Sequence, residues 1–261
     1  MEKYISKKEK ASYGFAAVGS YMVAGITQSY LMYFFTDILI IPSAFVMMLM
    51  IVARAWDALN DPMMGVIVDR TSTKYGKMRP YVLIGSFLML VTTIVLFMPL
   101  TGAPTMFKMI FAAVSYIIFG MAYTLTDVPA MGLMSVATPN SDERASLLSL
   151  YVTVGSVGSL LPVGLLTIFQ SFIPEKYVYF AMSIFVGIIT SAAYLTLFKN
   201  SKERFSTHTE KIAVRDMIKA AGKNKPMMLV LLMSMTASPR YLIMPGKKIG
   251  RAVQQECRDR S

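Results

Sequence analysis

Long apolar runs dominate the chain and set its elements before any single residue is considered. Five runs carry no charge at all, at 11–36, 80–107, 109–126, 145–174 and 177–198. A helix needs roughly 20 apolar residues to cross a bilayer. With the segment 43–68, apolar apart from charges near its middle, the pattern predicts six transmembrane helices at 11–36, 43–68, 80–100, 106–128, 146–170 and 177–198. Three of the connections are short, around Ile41-Pro42-Ser43, Gly102-Ala103-Pro104 and Pro174-Glu175-Lys176. Gly19, Gly25, Gly120, Gly155 and Gly158 recur inside the spans, where small residues let helices approach closely in lipid. The predicted fold is all-α: a polytopic membrane protein with a six-helix bundle over residues 1–198.

The pattern then changes. Residues 199–225 are polar and basic, with Ile212, Met217 and Ile218 beside Arg215 and Lys219, which predicts a cytoplasmic linker holding a short amphipathic helix at the membrane surface. From Met227 to Met235 a new apolar run starts. Arg240, Lys247 and Lys248 arrive too early for a full span, so 226–261 reads as an incomplete seventh helix with a polar tail.

Composition agrees with this class: 55% of the 261 residues are hydrophobic and 16% charged, too little charge for the surface of a soluble enzyme or DNA-binding domain of this length. The net charge of +11 changes the picture only through its location. Seventeen Lys or Arg fall before the first span, in the even-to-odd loops and after the sixth span, against two, Lys108 and Lys176, in the alternate loops. That is the positive-inside asymmetry, which places the N-terminus in the cytoplasm of a cell whose inner membrane the chain spans. No nucleic-acid partner is implied. One cysteine, Cys257, rules out an internal disulfide framework, and the single histidine, His208, offers no histidine metal site. The first run is longer than a leader's apolar region and carries Tyr, Gln and Ser, so no cleavable leader is expected.

Ionisable groups inside a span are expensive and mark function. The second span contains Arg54, Asp57 and Asp61, spaced by three and four so that they share a helix face, with Asn60 three residues after Asp57. An Arg–Asp pair that pins helices together would neutralise one aspartate and leave the other uncompensated. Either one carboxyl is protonated or converging oxygens hold a hard cation. The fourth span ends its charge-free run with Tyr123-Thr124-Leu125-Thr126-Asp127-Val128-Pro129. Asp127 is either a buried functional carboxylate beside Tyr123 and Thr124, or a cap on the cytoplasmic end of the span. The first span is unusually polar, and Ser20, Tyr21 and Gln28 are candidates to line a wet cavity for a hydroxyl-rich solute.

These residues resemble a known family. Tyr13-Gly14-Phe15, Tyr30 through Asp37, Arg54-Ala55-Trp56-Asp57-Ala58-Leu59-Asn60-Asp61-Pro62-Met63-Met64-Gly65, the loop from Asp69-Arg70 to Gly76-Lys77-Met78-Arg79-Pro80, and Tyr123 through Pro129 are similar, in order and spacing, to the glycoside–pentoside–hexuronide:cation symporters, the melibiose permease family of the major facilitator superfamily. The resemblance covers about residues 10–240. It implies sugar transport driven by sodium, lithium or proton, with no other cofactor. It carries cation ligation onto Asp57, Asn60, Asp61 and Thr124, sugar binding onto Asp127 with Tyr123 nearby, a charge network onto Arg54 and loop gating onto Arg144. Three positions, in two departures, differ from the melibiose permease: Ser20 and Tyr21 stand where its span one has a Lys-Asp pair, and Val152 where an arginine is expected on span five. A galactoside held as in the melibiose permease is therefore not expected, whereas another glycoside, a pentoside or a uronide fits.

The family is built of two six-helix bundles. The expectation is thus the N-terminal half of a symporter, truncated and inactive unless a second bundle or a homodimer completes it, with a non-transporting membrane partner or regulator as the alternative. No Gly-x-Gly-Asp signature supports an intramembrane aspartyl protease, and no P-loop supports ATP-driven pumping. The chain is not expected to be an enzyme.

Overall fold

A computed structural model describes residues 4–205, the side chains of Ala58 and Leu59 excepted. The expected surface helix around Ile212–Ile218, the incomplete seventh helix, His208 and Cys257 lie outside the described residues. Six long helices account for most of what is described: α1 (Lys7–Tyr33), α2 (Ser43–Arg70), α3 (Arg79–Leu96), α4 (Thr105–Ala137), α5 (Ser141–Gln170) and α6 (Glu175–Asn200). A π-helical turn, Phe34–Ile38, extends α1. The described residues form no strand, only an isolated bridge between Thr73 and Gly76.

The boundaries follow local chemistry. Ser6 caps α1 by accepting from the Glu9 amide at 3.1 Å, and Asn140 caps α5 by accepting from that of Asp142 at 3.0 Å. α4 runs to Ala137, well past the expected end near 128, although Pro129 lies inside it. A proline inside a helix costs about 3 kcal/mol. Burial of Ala130, Leu133, Met134 and Ala137 offsets that cost. Pro62 in α2 and Pro162 in α5 are likewise passed without ending the helix.

α2 to α6 are each long and apolar enough to cross a membrane. α1 is more polar and packs between α5 and α6, while α3 packs on α4 and α6, and α2 rests chiefly on α4. Glycine makes the α1 crossings possible. A Cβ on Gly25 would come within 2.5 Å of the Ser159 carbonyl oxygen, and one on Gly158 within 2.9 Å of the Val18 backbone. At Gly19 the approach is to Thr190, whose hydroxyl donates to the Gly19 carbonyl at 2.9 Å.

Two apolar clusters fill the bundle. One gathers Met22, Phe34, Phe97, Phe119 and Met182, the other Tyr13, Val82, Leu133, Leu147 and Leu197. Along α1, α4 and α6 the residues between the clusters are polar and buried: Ser20, Thr124, Thr126, Thr190 and Ser191. This polar layer is where Asp127 lies.

The ends of the bundle are tied by charge. Lys108, expected in a solvated loop, is instead buried in the first turn of α4, where its ammonium donates to the Leu39 carbonyl at 3.0 Å. At the opposite end, residues 201–205 fold back onto the bundle. Arg204 pairs with buried Glu9 at 2.7 Å, and the hydrogen bonds to Glu9 hold the guanidinium's pKa above its ordinary value. Glu203 accepts from the amides of Lys77, Met78 and Arg79 at 2.8, 2.8 and 3.0 Å, capping α3. Gly76 lies beside that carboxylate at φ 107°, a left-handed conformation that favours glycine.

Candidate functional site

A cavity of about 230 Å³ opens between α1, α2 and α4. From α4, Tyr116, Gly120, Tyr123, Thr124 and Asp127 reach it, one helical face at spacings of three and four. α2 contributes Arg54, Trp56, Asp57 and Asp61, and α1 contributes Thr27 and Gln28. Three carboxylates and one guanidinium therefore share the wall.

The aspartates are held differently. Asp61 accepts from the Thr124 hydroxyl at 2.8 Å, a link from α2 to α4. Asp57 is 3.9 Å from Arg54, and the side chains are 34% and 55% exposed, too far and too wet for a strong pair. Its Oδ1 faces Gly120, where an added Cβ would stand 3.3 Å away. Asp127 lies mid-helix, not at a helix end, because α4 continues for about three further turns to Ala137. The capping alternative is thereby removed. The Ser20 and Tyr151 hydroxyls donate to Asp127 Oδ1 at 2.8 and 3.2 Å. Ser20 also meets the Tyr123 hydroxyl at 3.2 Å.

Of the residues singled out in the sequence, Asp57, Asp61, Thr124, Asp127, Tyr123, Gln28 and Arg54 converge on the cavity. Asn60, Tyr21 and Arg144 do not belong to its wall. Successive helical residues turn by about 100°, so Asp61 and Arg54 fall to one side of Asp57 and Asn60 to the other. The Asn60 amide nitrogen is buried without a hydrogen-bond partner. Tyr21 packs edge-on against Tyr151, with centroids 6.2 Å apart, over Gly155. Arg144 sits in the first turn of α5, its guanidinium 3.5 Å from the Pro139 carbonyl oxygen.

Trp56 and Tyr116 also line the cavity and Tyr151 reaches Asp127, although none is a site candidate in the sequence. Periodicity could have found Tyr116, which shares the face of Gly120 and Tyr123. Nothing in the sequence separates Tyr151 from tyrosines at a membrane interface. Among the described residues no group of three His, Cys, Asp or Glu side chains forms a metal cluster, so any cation here would rest on two aspartates supplemented by hydroxyl or carbonyl oxygens.

Comparison with known proteins agrees with this architecture. A family model described as MFS/sugar transport protein matches residues 12–246. The uncharacterized symporter YjmB of Bacillus subtilis is 32% identical over 93% of this chain and 54% of its own length. The inner membrane symporter YicJ of Escherichia coli is 29% identical over 88% of the chain and 50% of its own length. The isoprimeverose transporter of Lactiplantibacillus pentosus is 28% identical over 87% and 48% respectively. The chain thus spans about half the length of the curated relatives it matches, which are transporters rather than enzymes. With a helical bundle, apolar spans and an acidic cavity in place, the chain belongs to the MFS/sugar transport protein family, as a multi-pass membrane protein of the glycoside–pentoside–hexuronide:cation symporter type.

Proposed function

We propose that the chain serves cation-coupled symport of a sugar or glycoside across the cytoplasmic membrane, with its N-terminus in the cytoplasm. The observation that carries this is the bridge from Thr124 to Asp61 beside Asp57 in one cavity. Two carboxylates from α2 and a hydroxyl from α4 converge there, an oxygen set suited to a hard cation. Asp57, Asp61 and Thr124 are the proposed ligands, and Asn60 joins them only if its side chain turns. Sodium or lithium is the coupling ion if all three oxygens bind at once, and a proton if one aspartate alone carries the charge.

The sugar is assigned to the same cavity, against Asp127, Tyr123 and Gln28. A ligand of one or two rings suits a volume below the ~300 Å³ at which drug-sized pockets begin. Arg54 balances part of the acidic charge. Arg144, distant from the cavity at the start of α5, is assigned to movement at the cytoplasmic end. Alternating access requires a second bundle across the cavity, from a longer chain, a second copy or a partner.

Uptake of labelled glycoside into vesicles, with and without a sodium gradient, tests the proposal. Sodium-dependent uptake abolished by Asp57→Cys or Asp61→Cys is expected. Ion binding without uptake would favour the inactive half. Sugar uptake by cells unchanged on deleting the chain, with co-purification of another membrane protein, would favour a regulatory partner.

A further inference from the structure

Asp127 differs from the other cavity carboxylates in what surrounds it. Among the described residues no basic side chain stands within ion-pair distance of it. Its partners are hydroxyl groups from two helices: Ser20 on α1 and Tyr151 on α5. Neither belongs to the cavity wall, which Asp127 itself lines. The donors therefore approach the carboxylate from behind, and those of Ser20 and Tyr151 both fall on Oδ1.

Packing fixes these hydroxyls. Ser20 and Tyr151 are fully buried. The Tyr151 ring lies edge-on to Tyr21, whose own ring fills the space above Gly155, where an added Cβ would meet it at 2.7 Å. The rotation of Asp127 is thus set by the α1–α5 crossing rather than by a counter-ion. Hydrogen bonds to an ionised acceptor are short and roughly twice as strong as neutral ones, so such donors can hold a carboxylate in place of a cation.

We propose that Tyr151 and Ser20 are positioning residues that present Asp127 to the cavity as an acceptor for the hydroxyls of an uncharged glycoside. This rests on the sugar reading of the cavity. An ionised acceptor with no cation beside it accepts from neighbouring hydroxyls of a neutral ring and repels a ring carboxylate, so a neutral glycoside is preferred over a uronide.

The test uses the purified full chain in nanodiscs and equilibrium binding of four probes: the 4-nitrophenyl β-xyloside, β-glucoside, α-galactoside and β-glucuronide. At least one neutral probe is expected to bind, and more tightly than the glucuronide. Tyr151→Phe and Ser20→Ala should each weaken that probe by about tenfold, the loss of one hydrogen bond to a charged group. A readout independent of sugar is the Asp127 carboxylate infrared band, identified by subtracting the Asp127→Asn spectrum. Tyr151→Phe should shift it, whereas Tyr13→Phe, which removes a buried hydroxyl lacking any partner, should not. Neutral binding unchanged in Tyr151→Phe, or an unmoved band, overturns the positioning role. A tighter glucuronide overturns the substrate class. A wild-type chain that binds none of the four overturns the sugar assignment of the cavity itself.

Discussion

Thr124→Val separates a cation ligand from a mere helix-to-helix contact. The substitution keeps the shape of the side chain and removes one hydroxyl, which donates to Asp61 Oδ1 at 2.8 Å. If a cation binds between Asp57 and Asp61, the same oxygen still has a lone pair to offer it. A hydrogen bond to a charged group contributes about 1.5–3 kcal/mol, and 1.4 kcal/mol is a factor of about ten in affinity. Thr124 is buried but Asp61 is exposed, so solvent screening selects the lower end of that range. Sodium affinity should therefore fall by about tenfold in Thr124→Val and return in Thr124→Ser. Trp56 is the single tryptophan of the chain and lines the cavity next to Asp57, so its fluorescence reports ion titration directly. Equal sodium midpoints for wild type and Thr124→Val, alongside loss of the response in Asp61→Asn, would refute Thr124 as a ligand.

Three further expectations concern what holds the bundle together. Gly25→Val, which pushes a side chain into the Ser159 carbonyl 2.5 Å from the added Cβ, should lower thermal stability in detergent by about 1–3 kcal/mol; Gly65→Ala, inside α2 with nothing within 4 Å, should not lower it and should raise it by up to about 1 kcal/mol. Arg204→Ala strands the Glu9 carboxylate at 2% exposure and should cost about 3 kcal/mol, most of it recovered when Glu9→Gln is added. Glu203→Ala removes the acceptor for three amides at the start of α3 and should cost about 1–2 kcal/mol, read as faster tryptic cleavage at Lys74 or Lys77. Equal cleavage rates would show that the loop is held by other contacts.

The acidic face of α2 was legible because 3.6-residue periodicity fixes which side chains share a face whatever packs beside them. The same periodicity, applied more strictly, places Asn60 off that face. Asp127 was ambiguous because the end of a span cannot be read from charge-free length alone: Pro129 suggests a stop, and only the burial of Leu133 and Met134 shows why the helix continues. Tyr151 was not legible, since an aromatic in an apolar run has no mark that distinguishes a lipid-facing ring from one that donates to a carboxylate on another helix.

The sequence by itself determined the class, the helices and the acidic motifs, because bilayer thickness and helical repeat act along the chain. The pairing of α2 with α4, the link from Thr124 to Asp61, the hydroxyls around Asp127 and the folding back of residues 201–205 onto Glu9 and α3 were decided only by the tertiary structure. Each of those depends on which helices meet and at what rotation. In lipid that is settled by close approach at glycines and by satisfying buried polar groups, terms that hydropathy does not contain.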